Sequence, residues 1–134
     1  MSVRILIISH EGIGSVLLNV VKQTFGSELP LSVATVELEA NADPEVLIVK
    51  LKKVVKALNQ GDGLLILTDL FGSTPCNIAR SIQDCQDARI VTGLNLPMLL
   101  RVMNYPQLDL AQLAEKARTG GQSGIIECEG IEEA

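Results

Sequence analysis

The sequence predicts an α/β fold of three layers, a mainly parallel sheet with helices on both faces, and three observations predict it. Short apolar, β-branched runs alternate with longer segments of helical period, which is the rhythm of βα units feeding a parallel sheet. The first run, Val3 to Ile8, is apolar almost throughout rather than alternating, as a strand buried on both faces requires. Glycines, prolines and capping residues stand where one element must give way to the next. With 134 residues, 47% of them apolar, the chain can bury one substantial core, so residues 1–134 are expected to form a single domain.

Val3 to Ile8 is the first strand and belongs at the centre of the sheet. Ile13, Leu17, Val20 and Val21 recur at helical spacing and define the apolar face of a first helix, which Gly26 and Pro30 stop. Leu31 to Leu38 is a second strand. Asp43 then caps and Pro44 opens a helix whose apolar face is Leu47, Leu51, Val54, Val55 and Leu58, broken at Gly61 and Gly63. Leu64 to Leu67 is a third buried strand, leading through Thr68 and Asp69 into Leu70-Phe71-Gly72-Ser73-Thr74-Pro75. There Thr74 is the expected N-cap and Pro75 the first residue of a helix reaching about Cys85. Ala88 to Thr92 is a fourth strand, followed by Gly93-Leu94-Asn95-Leu96-Pro97 and a short helix containing Met98, Leu99, Val102 and Met103. Asp109 caps a last helix that Gly120-Gly121 is expected to end. One more strand, roughly Gly124 to Cys128, follows a helix too short to guarantee a parallel crossover and is left without a place in the sheet.

Composition removes several classes of function. A formal charge of -5 and an aromatic content of 2% provide neither the basic track nor the stacking platform that nucleic acid needs. The three cysteines, Cys76, Cys85 and Cys128, have no CxxC spacing and no histidine cluster beside them, so they read as reduced cytoplasmic thiols rather than a zinc site. The apolar start is too short and too soon interrupted for a signal peptide or a membrane span, and the expected location is cytoplasmic, without membrane insertion. No P-loop or dinucleotide glycine motif is present, so no cofactor is expected. Lys50, Lys52, Lys53 and Lys56 read as a solvated helix face.

In open α/β sheets ligands bind beyond the carboxyl ends of the strands, where the winding reverses. The first strand delivers Ser9-His10-Glu11-Gly12 there, the third delivers Asp69 with Gly72-Ser73-Thr74, and the fourth delivers Gly93 and Asn95 before Pro97. A sheet order of 2-1-3-4 sets His10, the only histidine, across the crevice from Asp69. An Asp that accepts from one ring nitrogen fixes the tautomer and leaves the other nitrogen as a nucleophile. With no cation evident in these loops, an incoming phosphoryl group must be held by amides and hydroxyls, which Gly72, Ser73 and Thr74 supply at a helix start. Taken singly, His10 is a polar loop residue, Asp69 a loop brace, and Thr74-Pro75 a helix start. It is their convergence that favours chemistry. Asn95 and Pro97 either shape a turn or touch the site, and Phe71 is either core or partner-docking surface. Cys76 reads as a buried, inert thiol.

These same residues carry a family resemblance. Ser9-His10-Glu11-Gly12 after the first strand, Thr68-Asp69-Leu70-Phe71-Gly72-Ser73-Thr74-Pro75-Cys76-Asn77 after the third and Gly93-Leu94-Asn95-Leu96-Pro97-Met98-Leu99 after the fourth resemble the IIA component of the mannose class of the bacterial phosphoenolpyruvate-dependent sugar phosphotransferase system (PTS). The order and spacing of the motifs span residues 1 to about 128. The resemblance implies a phosphotransferase in which His10 takes a phosphoryl group from the phosphocarrier protein HPr and hands it to a IIB component, with Asp69 as the histidine's hydrogen-bond partner. It further implies a homodimer in which the C-terminal strand is exchanged, which would account for the unplaced residues Gly124 to Cys128. The family's glycine pair before Ser/Thr-Pro is here Gly72-Ser73, so a side chain is expected close to the phosphoryl pocket. Two other functions share many of these residues. One is a phosphorylation-dependent regulator uncoupled from transport. The other is a receiver-like domain phosphorylated on Asp69, which lacks the paired acids and the lysine that receivers normally carry.

Overall fold

The computed structural model describes residues 2–26, 28–58, 62–83 and 87–131. Its elements are β1 (Arg4–His10), α1 (Ile13–Phe25), β2 (Val33–Leu38), α2 (Pro44–Leu58), β3 (Leu64–Thr68), α3 (Thr74–Gln83), β4 (Ala88–Thr92), α4 (Leu96–Met103) and α5 (Leu110–Ser123). The four strands are all parallel, in the order β2-β1-β3-β4. This is the expected order, and it puts the reversal of winding between β1 and β3. The anticipated breaks at Gly61 and Cys85 lie outside the described residues.

Alternation along the central strands sorts the core into two layers. Ile5, Ile7, Leu65 and Leu67 face Leu99, Val102, Leu113 and Ala117 of α4 and α5 together with Val21 of α1. Leu6, Ile8, Leu64 and Ile66 face Leu51 and Val55 of α2 and Ile78 and Ile82 of α3. A strand covered on both faces has no solvent side and so no polar alternation, which is why Ile5 to Ile8 and Leu64 to Leu67 are all completely buried.

Four local expectations are corrected. On α1, Ile13 and Val20 lie on the solvent side, at 40% and 37% exposure, while Gly14, Leu18 and Val21 are buried. Six apolar residues crowd into positions 13–21, so periodicity leaves the phase of the helix open and packing against β1 decides it. Helix α3 begins at Thr74, one residue before the expected Pro75, and the Ser73 carbonyl accepts its first helical bond from Asn77 N at 2.9 Å. Helix α5 continues through Gly120 and Gly121 to Ser123. A Cβ on Gly120 would sit 2.5 Å from Cβ of Arg101 on α4, and one on Gly121 would sit 3.0 Å from Met98 Cε. The two glycines let helices approach each other closely instead of ending one. Finally, residues 124–131 form no strand in this single chain, and Ile125, Ile126 and Ile131 are exposed.

Candidate functional site

The site is built where β1 and β3 end side by side. Pairing between β1 and β3 ends at Ile8 with Thr68, so Ser9-His10, still paired to β2, and Asp69 follow side by side. The backbone N–H of His10 donates to Asp69 Oδ2 at 3.0 Å, and ring Nδ1 lies 2.7 Å from the same oxygen. A carboxylate can only accept, so Nδ1 carries the proton and Nε2 of a neutral ring keeps its lone pair. Burial pushes the Asp69 carboxyl up, but the His10 backbone N–H, the ring bond and the pull of the imidazole outweigh it. The net effect is a carboxyl held below its ordinary 3.8, which is therefore ionised at neutral pH. Asp69 Oδ1 is buried without a hydrogen-bond partner, so this carboxylate's hold on His10 runs entirely through Oδ2. The Asp69 side chain is 8% exposed and that of His10 49%, so the acid is a fixture of the wall while the ring stands in the opening.

The turn after His10 is tied down amide by amide. Glu11 N donates to the Leu38 carbonyl at 3.1 Å, and Gly14 N to the hydroxyl of buried Ser9 at 2.9 Å. That hydroxyl in turn donates to the His10 carbonyl at 2.9 Å. Gly12 N donates to the carboxylate of Glu37 on β2. Gly12 itself sits at φ +87°, a conformation in which L side chains are strained.

His10 opens on a cavity of about 440 Å³ lined by Glu11, Leu38, Glu39, Ala42, Thr74 and Pro75, among others. Of the three residues expected at the phosphoryl group, only Thr74 lines it. Gly72, at φ +79°, shapes the turn. The Ser73 hydroxyl folds back to the Leu70 carbonyl at 2.6 Å, so the side chain standing in place of the family's second glycine braces the loop and is not among the residues lining the cavity. Phe71 is 75% exposed and is neither core nor cavity wall on the His10 side; it borders a separate cavity with Cys76, Arg80, Ile90 and Thr92. Asn95 is the N-cap of α4, its Oδ1 accepting from Met98 N at 2.8 Å and its Nδ2 donating to the Gly121 carbonyl at 3.2 Å. Pro97 lies against Gly124, and neither it nor Asn95 lines the cavity beside His10. Glu37 carries no motif in the sequence; its only signal is that it is the one acid in the run Val33 to Leu38. No group of three or more metal-ligating side chains occurs among the described residues, and no helix there is long and apolar enough to cross a membrane.

Comparison with known proteins converges on one family. The family described as "PTS system fructose IIA component" (EIIA-man) matches residues 4–118. The "PTS system mannose-specific EIIAB component" of Escherichia coli strain K12 is 26% identical over 130 residues, covering 93% of this chain and 39% of that protein. The chain thus spans about 39% of the length of the curated relatives it matches. Among solved structures, the mannose/sorbose specific IIA subunit from Enterococcus faecalis superposes over 100% of both chains, with a TM-score of 0.89 and 27% identity. The PTS IIA protein associated with the fucose utilization operon of Streptococcus pneumoniae gives 0.77 at 25% identity, over 95% of this chain and 96% of that one.

Proposed function

The chain belongs to the mannose-type IIA family of the sugar phosphotransferase system, and from that premise we propose that His10 accepts a phosphoryl group from phospho-HPr and passes it to a IIB component. The observation that carries this reading is the shared acceptor Asp69 Oδ2, which pins both the main chain and Nδ1 of His10. In the forward step the Nε2 lone pair of His10 attacks phosphorus, a new N–P bond forms, and the P–N bond to the donor histidine breaks, its electron pair leaving with that imidazole. His10 keeps its Nδ1 proton, so its ring becomes cationic as it is phosphorylated, and the ionised Asp69 stabilises that charge. Transfer to IIB reverses the same movements. Thr74, at the start of α3, is the group on the cavity wall suited to hold the phosphoryl oxygens, helped by the helix dipole. Gly72 and Ser73 support it by shaping the turn. Exposed Leu70 and Phe71, in the loop that follows Asp69, offer apolar surface for the partner proteins.

The same reading makes the working unit a cytoplasmic homodimer. The outer edge of β4 has no neighbouring strand among the described residues, and the tail carries exposed Ile125, Ile126 and Ile131, features that suit exchange of this segment between two copies. Incubation with phosphoenolpyruvate, enzyme I and HPr is expected to give an acid-labile, base-stable phosphoryl adduct that passes on to a IIB protein. Labelling that survives His10→Ala would overturn the assignment, and an adduct labile in base would move it to Asp69.

A further inference from the structure

The crevice offers two helix starts near His10, those of α1 and α3, and either could attract a phosphoryl group. They lie on opposite faces of the sheet. In the parallel pair β1/β2, Ser9 is matched with Glu37 and His10 with Leu38, and matched residues share a face. Ile5 and Ile7, in step with Ser9, face α1, α4 and α5, whereas Leu6 and Ile8, in step with His10, face α2 and α3. Glu37 therefore stands on the α1 face, and its carboxylate takes the N–H of Gly12, the N-cap residue of α1. Ser9 takes Gly14 N, and the Leu38 carbonyl takes Glu11 N. Three of the donors between His10 and the first turn of α1, the amides of Glu11, Gly12 and Gly14, are thus held by the protein's own oxygens, one of them an anion. On the other face, the cavity with His10 is lined by Thr74 and Pro75, where the described structure gives the Thr74 hydroxyl no acceptor.

We propose that Glu37 is a positioning residue for phosphoryl transfer: its carboxylate occupies the amino end of α1 and so confines the phosphoryl group on His10 to the α3 side, at Thr74. This rests on the reading of His10 as the phosphoryl acceptor. Glu37 touches neither the phosphoryl group nor the ring in this account; it acts through Gly12. Two contributions act together. The Gly12 amide is made unavailable, and a fixed negative charge on the α1 face disfavours a second anion there.

The test is a double-mutant cycle read by single-turnover phosphorylation from phospho-HPr and by the phosphorus NMR shift of the phosphohistidine. Wild type, Glu37→Ala, Glu37→Gln, Thr74→Val and the two double variants are compared. In the wild-type background Thr74→Val is expected to slow transfer about tenfold, since it removes a hydroxyl donor from the phosphoryl group. In the Glu37→Ala background, where the amino end of α1 is open to the anion, the same change is expected to cost about twofold or less, and the phosphorus shift should move. Glu37→Gln keeps an oxygen on Gly12 N–H and is expected to restore most of the Thr74 penalty and the original shift. A residue that only braces the fold would lower the melting temperature while leaving the Thr74 penalty and the shift as in wild type, and that outcome overturns the proposal. A wild-type protein that takes no label at His10 overturns the phosphoryl-carrier reading itself, so the two failures are distinct.

Discussion

A single oxygen, Asp69 Oδ2, receives both the backbone N–H of His10 at 3.0 Å and its ring Nδ1 at 2.7 Å. The residue's main chain and its ring are thereby referred to the same point on β3's end, and the ring has little freedom to turn without breaking that bond. Orientation and tautomer are set by one contact, which makes Asp69 the position where a small chemical change should have the largest effect on transfer.

Asp69→Asn keeps the size of the side chain but replaces a pure acceptor with a group that can also donate. Because the Oδ2 position must accept from the His10 backbone N–H as well as from Nδ1, the Asn oxygen takes it and the tautomer is kept; what is lost is the negative charge that stabilises the ring as phosphorylation makes it cationic. Phosphorylation by phospho-HPr is expected to fall by about 10²-fold, with the overall fold unchanged by circular dichroism. Rates within about twofold of wild type would mean that the negative charge has no part in transfer.

The same carboxylate makes stability depend on pH in a defined direction. Its folded-state pKa lies below the ordinary 3.8, so its contribution is fully present above that value and disappears as pH falls through the lower, folded value. Urea denaturation of wild type and Asp69→Asn should show the wild type's advantage shrinking as pH falls below about 4. The exposed Glu115 beside Arg118 also has a lowered carboxyl, but it is present in both proteins and cancels in the difference. An advantage that grew as pH fell below about 4 would contradict the assignment.

Ser73 tests whether the extra side chain in the glycine-containing turn serves the loop or the phosphoryl group. Its hydroxyl donates to the Leu70 carbonyl at 2.6 Å, and its amide to the same carbonyl at 3.3 Å. Ser73→Gly should therefore cost about 1 kcal/mol of stability, from a lost hydrogen bond and a more flexible unfolded chain. Transfer rates should stay within about threefold of wild type, against the larger loss expected for Thr74→Val. A rate loss equal to that of Thr74→Val would put the Ser73 hydroxyl on the phosphoryl group.

What the sequence disclosed and what it withheld divide along the range of the interactions. The continuous apolar runs at Ile5 to Ile8 and Leu64 to Leu67 reveal central strands because burial on both faces is a property of the strand alone. The Asp109 cap is also local: its side chain accepts from Gln112 N at 2.8 Å, within one turn. Glu37 was silent because its partner, Gly12, lies 25 residues away and nothing in either neighbourhood names the other. Gly120-Gly121 misled for the same reason. A glycine pair near a helix end reads as a stop unless the approach of Arg101 is known. The direction of the Ser73 side chain likewise depends on how the turn closes, not on which residues compose it.

Gly120 offers a check on that long-range packing. An added methyl would lie 2.5 Å from Arg101 Cβ and 2.6 Å from its Cγ, atoms near the backbone of α4 that cannot swing aside as the tip of a side chain can. Gly120→Ala gains about 1 kcal/mol of intrinsic helix preference. It must also force α4 and α5 apart, at a cost of about 1–3 kcal/mol or more. The packing term is the larger, so a net loss of stability is expected in thermal denaturation, although the substitution would stabilise an isolated helix. A raised melting temperature would show that the two helices are not packed this closely.

The tail carries the last prediction. Ile125 and Ile126 are 81% and 73% exposed, and Ile125 borders a cavity with Ile90, Val91 and Thr92 along the edge of β4 that lacks a partner strand among the described residues. Apolar residues left in water beside an unpaired strand edge are stabilised by pairing, and in the proposed dimer each copy supplies the strand that covers the other's edge. The chain is expected to sediment as a dimer at micromolar concentration. Replacing Ile125 and Ile126 together by Asp should shift it to monomer, because charges would be buried against Ile90 and Val91 without partners. A wild-type protein that is monomeric, or a doubly substituted one that remains dimeric, would assign the tail and the β4 edge to something other than each other.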